Sequence, residues 1–321
     1  MEAAKKFHQY ERYLRTLCNV LGFDVVSKGW KKTYRTYVTI FLCGQYFLWM
    51  VWSIIIASDT FELLKSLSFI GFFFQCSSKM YYTITNAPHY SNNFAGLQES
   101  IYTAHMDGTE EQKTVIERVI TVVLLATKAT TVLFTSSLFI FSFYPAYMYF
   151  VMDVKVTIFP LYIPGISIYS AYGYGITNSL HMLIAVYGLL GALTSDTAFM
   201  LFVLHFISYG ELFRIECEQF TRDLSDYGEQ WEQHTPEYES FCRDGMRALY
   251  RYHQTVIEYL TSLQECYHSI CVFQVASCSF SVMFNLFLAL TVRFWVEKGC
   301  RRQFKTYCFD FRLTGTQRTA S

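Results

Sequence analysis

Polar and apolar residues fall in long blocks along this chain. Two uncharged runs, residues 129–152 and 156–195, are parted only by Asp153, Val154 and Lys155. Each exceeds the roughly 20 apolar residues that a helix needs to cross a bilayer. The second opens with Pro160, Pro164, Gly165, Gly173 and Gly175 among tyrosines and phenylalanines. Proline and glycine at that density break a regular helix. Residues 159–175 therefore read as a folded aromatic loop at the membrane face, within a connection spanning 153–175, and the fourth crossing helix as 176–206.

The same pattern gives three earlier crossings. Residues 36–58 carry no charge and form the first. The second runs over 61–84, with an aromatic half at 66–74 and Lys79 toward its far end. The third starts before the membrane. Asp107 and Gly108 mark a turn, and Thr109 with Gln112 makes a capping box. That helix enters the bilayer near Lys128 and leaves at 144–150, where tyrosines suit an interfacial belt.

Two polar segments flank this unit. In residues 1–35, Phe7, Tyr10, Leu14, Leu17 and Leu21 repeat at helical spacing while Lys5, Lys6, Arg12 and Arg15 avoid the stripe. This predicts an amphipathic helix lying on the membrane surface, stopped at Gly22. Residues 207–265 form a polar, acidic helical segment. Within it, Thr235, Pro236 and Glu237 make a helix start. From Met246 through Leu249, Val256 and Leu263 the apolar spacing continues into the uncharged run 266–292. One long helix should therefore rise out of this segment and become the fifth crossing. Residues 293–321 are basic and polar without apolar periodicity, and read as an atypical tail.

Composition agrees with a polytopic all-α membrane bundle. The 321 residues are 52% hydrophobic, 19% aromatic and 16% charged, where soluble domains carry about a quarter charged residues. Net charge is zero, so nothing suggests nucleic acid as a partner. The ten cysteines fall mostly inside apolar or polar helical runs and form no C-x-x-C pair. They read as small buried side chains and not as a zinc site or disulfide framework. The charged N-terminus lacks the apolar core of a signal peptide, so the first crossing should act as its own insertion signal. Lys and Arg number eight in residues 1–35 and one each in the connections 59–65 and 153–155. Basic residues collect on the cytoplasmic side, so the N-terminus is read as cytoplasmic. Five crossings then place the basic tail outside, against that rule.

Order and spacing now carry a resemblance. The cytoplasmic N-terminus, the sequence of loop lengths and the proline-containing aromatic outer loop before the fourth helix resemble the insect odorant receptor family. The local likeness is best at 193–212, where Asp196 precedes an apolar run, and at 253–265 continuing into Phe273 and Gln274. Leu21, Gly22 and Phe23 make a weaker match. Family members have seven helices, so the resemblance implies that the sixth and seventh are missing after 292 and that this form is pore-deficient. It also implies an odorant-tuning subunit that binds small apolar volatile odorants. Such a subunit gates a cation channel in a hetero-tetramer with a shared co-receptor, in the plasma membrane of olfactory sensory neurons. Residues 207–265 would be the anchor segment through which subunits meet. A gustatory receptor of the sister family, and a non-odorant scaffold or transporter subunit, remain alternatives.

No catalytic or cofactor chemistry is visible: G-x-S-x-G, H-E-x-x-H and P-loop patterns are absent, and the chain does not read as an enzyme. A pocket for an apolar volatile needs apolar and aromatic walls with few polar groups. In the family that pocket lies in the outer half of the membrane between the second, third, fourth and sixth helices. The stretches matching three of those walls are 69–74, 134–141 and 177–185. The candidate ligand-binding residues there are Phe72, Phe73, Ser137, Phe141, His181 and Ile184. Lys79, Lys128 and Asp196 are ionisable groups at or near membrane depth, where charge is costly; all three map to the inner ends of their helices, so snorkelling accounts simply for the two lysines, and a Lys79–Asp196 contact is the sharper alternative.

Overall fold

The computed structural model describes all residues except Met1, Val25, Lys28, Met106, 231–235 and 317–321, with the backbone alone described for 227–230 and 292–316. Every regular element among them is helical. In order these are α1 (Glu2–Leu21), α2 (Tyr34–Ile55), α3 (Thr60–Leu67), α4 (Ile70–Thr85), α5 (Ala87–Leu97), a π-helical turn (Gln98–Thr103), α6 (Glu110–Phe150), α7 (Ala171–Gln230) and α8 (Pro236–Thr316). Tyr34–Ile55, Glu110–Phe150, Ala171–Asp226 and Pro236–Thr291 are each long and apolar enough to cross a membrane.

Helix α1 ends where the stripe predicted, but protein covers its apolar face instead of lipid. Phe7 packs on Phe94 and Tyr102, with ring centroids 5.1 and 4.2 Å away. Tyr10 donates its hydroxyl to the Thr197 carbonyl of α7 at 2.6 Å, and Lys6 reaches Glu117 of α6 at 2.7 Å. A stripe of this kind is equally suited to lipid or to a protein groove; the groove between α5, α6 and α7 takes it. At its end Gly22 has φ +80°, and the amides of Gly22 and Phe23 both bond the Cys18 carbonyl at 2.9 and 3.1 Å, a glycine helix stop. The freed carbonyls are taken by the first turns of α2. Thr33 and Thr36 donate to Gly22 O, and Thr39 donates to Leu21 O at 2.8 Å.

The second crossing is two helices, not one. Asp59 caps α3 by accepting the Glu62 amide at 2.8 Å, and Glu62 accepts the Ser58 amide in return at 3.1 Å. The chain then turns at Ser68 and Phe69. The Ser68 hydroxyl donates to Lys65 O at 2.8 Å, a local bond of the kind by which serine competes with the helix ladder. After it, Gly71 lets α4 close on α8: a Cβ there would lie 1.9 Å from Ser281 Oγ and 2.6 Å from Ser277 O.

Helix α6 begins at the predicted capping box. The Thr109 amide donates to Gln112 Oε1 at 2.9 Å and the Gln112 amide to Thr109 Oγ1 at 3.3 Å. Its 41 residues span roughly 60 Å at 1.5 Å per residue, twice the hydrocarbon thickness. Helix α7 starts earlier than expected, because Gly173 sits inside its first turn. The Gly173 amide donates to Ser170 Oγ at 2.9 Å, and a Cβ would meet Ser167 O at 2.1 Å. That glycine admits the passing loop instead of breaking the helix.

Helix α7 also continues past 206, through the segment read as separate, for 60 residues in all. Helix α8 starts at Pro236 as predicted and runs unbroken into the fifth apolar run. The two pack against each other beyond the apolar zone through Tyr209 on Tyr259 (4.8 Å) and Phe213 stacked on Tyr252 (5.8 Å). The backbone of α8 stays helical to Thr316; the side chains of the expected atypical tail lie outside the described residues.

Two cores result. One joins α1, α5, α6, α7 and α8 around Tyr10, Tyr90, Ile120 and Phe202. The other, at the opposite end of the bundle, joins Tyr46, Trp49 and Met50 of α2 to Ile184 and Ala185 of α7 through Phe159, Leu161 and Ile163 of the long loop. Phe41, Ile55, Leu133, Phe139 and Val282 stand exposed on the outer faces of α2, α6 and α8. Apolar surface on that scale belongs against lipid.

Candidate ligand-binding cleft

Helices α2, α4 and α7 enclose a cleft between the two cores. Thr39, Cys43 and Tyr46 face it from α2, Phe72, Phe73, Cys76 and Met80 from α4, and Ile184, Gly188 and Gly191 from α7. The α2 and α7 sets repeat every three or four residues, and on α4 the pair Phe72–Phe73 is followed by Cys76 and Met80 at the same spacing, so each helix contributes one face. Most polar atoms here are spent on the protein itself. Thr39 bonds the end of α1, and Cys43 Sγ meets Ser77 Oγ at 3.1 Å. Apart from the Tyr46 hydroxyl, the remaining surface is mostly apolar and aromatic.

The cleft is narrow. Its free volume is about 60 Å3, whereas a dry cavity of about 150 Å3 is known to take benzene. A volatile of that size enters only if a wall moves. Phe72, 37% exposed, and Phe73, half-buried, are the side chains with room to turn. Gly188 and Gly191 keep the α7 wall low; a Cβ at Gly188 would sit 3.8 Å from Phe72 Cζ, and at Gly191 it would meet nothing.

The long loop closes one end. Ile158 N–H donates to Asn178 Oδ1 at 3.0 Å and Tyr162 N–H to Ser53 Oγ at 2.7 Å. These bonds hold Phe159 inside, its ring 5.5 Å from both Tyr46 and His181. Toward the other end, Lys79 Nζ donates to Asp196 Oδ1 at 2.5 Å, the alternative to snorkelling that the sequence offered. Lys79 is 4% exposed, so the lysine does not reach out of the bundle and its charge is met inside it.

Of the six candidate residues, Phe72, Phe73 and Ile184 come together in the cleft. His181 lies beside it, fully buried against Trp49 and Phe159. Its Nδ1 accepts the Phe159 amide at 3.4 Å. Ser137 and Phe141 are elsewhere: Phe141 is 54% exposed on the outer face of α6, and the Ser137 hydroxyl is used on Leu133 O at 2.9 Å. The third wall comes from α2 instead, with Tyr46 and Cys43. A trace of it was present in the sequence, since Thr36, Thr39, Cys43, Tyr46 and Ser53 mark a less apolar stripe at helical spacing.

A larger cavity of about 600 Å3 lies between the far ends of α6, α7 and α8, lined by Gln112, Glu216, Phe220, Asp223 and Tyr252 among others. Its carboxylates make it unsuited to an apolar volatile. Among the described residues no group of three His, Cys, Asp or Glu side chains comes together as a metal site.

Known proteins decide the family. The model of the 7tm odorant receptor family matches residues 59–296. The chain belongs to that family. Both stretches that carried the likeness, 193–212 and 253–274, fall within the match, and Leu21–Phe23 falls outside it. Among its relatives is a putative odorant receptor 83c of Drosophila melanogaster, 21% identical over 305 residues, covering 90% of this chain and 74% of that protein. Solved structures of the olfactory receptor OR5 of Machilis hrabei, alone and in complex with eugenol, are each 12% identical. They cover 88% and 89% of this chain and 76% of the other, with TM-scores of 0.46 and 0.48. This odorant receptor family member is thus a multi-pass helical membrane protein, and the gustatory and transporter readings give way to the family match.

Proposed function

We propose that this odorant receptor family member is the ligand-tuning subunit of an odorant-gated cation channel, with the cleft between α2, α4 and α7 as its odorant site. One observation carries the reading: α2, α4 and α7 converge on a mostly apolar, ring-walled cleft too small for benzene until a wall turns. Ligand occupancy is then coupled to a change of shape, which is what gating requires, since a ligand shifts an equilibrium only by binding one state better. The coupling route runs through α4. Phe72 and Phe73 form the cleft wall, and the adjacent Gly71 brings α4 into backbone contact with α8. A ligand that pushes the two phenylalanines displaces α4, and α8 must follow.

In this reading the α1 end of the bundle is cytoplasmic and the long loop faces outward. The far ends of α7 and α8 meet partner subunits, including a shared co-receptor in a hetero-tetramer. The site is the plasma membrane of olfactory sensory neurons. Photolabelling of the full chain in membranes with an apolar volatile diazirine tests the cleft. Label on residues 39–46, 72–80 and 184–191, competed by excess unlabelled volatile, supports it. Label confined to the outer faces of α6 and α8, and insensitive to competitor, overturns it.

A further inference from the structure

One buried hydroxyl of the cleft lining stands out. Tyr46 is 3% exposed, and its hydroxyl has no hydrogen-bond partner among the described residues. Rings hold it from several sides: Phe73 stacked at 5.8 Å, Phe159 edge-on at 5.5 Å and Phe72 edge-on at 6.5 Å. An unmatched polar group in such a place is costly, and buried polar groups are paired as a rule. Two further orphans lie on α7, one helical turn apart. His181 accepts at Nδ1 from Phe159 N–H, so in the neutral ring its proton is on Nε2, and that N–H has no acceptor. The Thr177 hydroxyl is fully buried and also unpaired. Tyr46 and His181 both touch the ring of Phe159. The three groups can all donate, and among the described residues no acceptor answers them.

We propose that the cleft selects apolar volatiles that carry one hydrogen-bond acceptor oxygen, such as ketones and esters, and that the Tyr46 hydroxyl is the donor that recognises it. The proposal rests on the cleft being the ligand site. A hydrocarbon fills the same walls and leaves the hydroxyl unpaired; a carbonyl compound of the same shape satisfies it. A site built to hydrogen-bond a ligand discriminates against the analogue that lacks the group. One net hydrogen bond corresponds to about a tenfold difference in affinity.

The test uses the full chain in lipid nanodiscs. Methyl alkyl ketones are compared with the hydrocarbons in which C=O is replaced by C=CH2, each displacing the apolar dye aminoanthracene. The ketones are expected to bind about tenfold tighter than their isosteres. Tyr46→Phe keeps the ring contacts and should erase that preference by weakening the ketones alone, without lowering the melting temperature of the ligand-free protein. Equal affinity for ketone and isostere in the unaltered chain overturns the proposal without needing the variant, and leaves the cleft reading standing. A preference that survives in Tyr46→Phe overturns it as well, as does a clear loss of ligand-free stability, which would mean that the hydroxyl is bonded structurally. Failure of every ketone and hydrocarbon to displace a dye that Gly188→Leu does exclude overturns the proposal while the cavity remains real. A dye that binds Gly188→Leu unchanged means that the cleft is not the site, and both readings fall.

Discussion

Reversing the charge at Lys79 is the most informative single perturbation. Lys79 is 4% exposed and its Nζ lies 2.5 Å from Asp196 Oδ1. In Lys79→Asp two carboxylates face each other at membrane depth. Removing one partner of a buried pair costs about 3–5 kcal/mol, because the other charge is left uncompensated. The Asp196 side chain retains 28% exposure, so water or lipid headgroups relieve part of that cost, and the lower end, about 3 kcal/mol, applies. That is roughly a hundredfold in the folded-to-unfolded ratio. The assay is the yield and thermal stability of the full chain in detergent, read by size-exclusion chromatography. The double variant Lys79→Asp with Asp196→Lys should recover most of the loss, because the pair is rebuilt with its ends exchanged. The apolar pair Lys79→Met with Asp196→Leu should also be close to the unaltered chain, since buried ion pairs are often neutral against well-packed apolar residues. Failure of both doubles to improve on Lys79→Asp would refute the argument that the two charges compensate each other.

Other positions give equally direct outcomes. Gly22→Ala combines a left-handed φ with a Cβ 2.3 Å from Thr36 N; folded yield should fall by the equivalent of more than about 2 kcal/mol, and an unchanged yield would contradict the α1–α2 junction. Gly188→Leu should fold, since its neighbour there is the far end of Phe72, yet abolish binding of apolar volatiles measured by dye displacement. Gly71→Val should separate α4 from α8 and lower thermal stability, while Gly191→Ala, which meets nothing, should leave it unchanged. At Glu11, burial pushes the pKa up but hydrogen bonds from His8 and Arg15 outweigh it, leaving it below the ordinary 4.5. The stability it supplies is therefore complete above that value and is lost as pH falls through the lower folded pKa. Glu11→Gln should flatten the acid limb of a stability–pH curve and change little else.

The parts of this fold that the sequence reveals are those set by local chemistry. Pro236 behind Thr235, the Thr109–Gln112 box and the uncharged runs each specify a helix start or a crossing from a few neighbouring residues. Ser68 does not announce the α3–α4 turn, because a serine in an apolar helix is ordinary until its hydroxyl bonds Lys65 O. Gly173 looks like a breaker and is a close-approach residue, a distinction that depends on Ser167 lying against it. The α1 stripe fixes a face but not what covers it. The same ambiguity misplaced Phe141: an aromatic side chain suits lipid as well as a pocket, and α6 turns it outward. Tyr46 was legible as a member of a stripe, whereas the lack of a partner for its hydroxyl depends on three other segments of the chain.

With the cleft as the proposed odorant site, the loop bearing Phe159, Leu161 and Ile163 would set the phase from which a ligand arrives. Phe159 packs against the lining residues Tyr46 and Phe72, and the lining residue left exposed is Phe72, which the proposed orientation puts at the depth of the hydrocarbon. A volatile that passes Phe72 has already dissolved in the bilayer, so its potency is the product of two equilibria, partition into lipid and transfer from lipid into the cleft. Each added CH2 favours the first step by about 0.8 kcal/mol, close to fourfold, before the protein is touched. Rank orders of odorants on this receptor would then mix solubility with recognition, and only concentrations expressed per volume of membrane would isolate what the cleft itself selects.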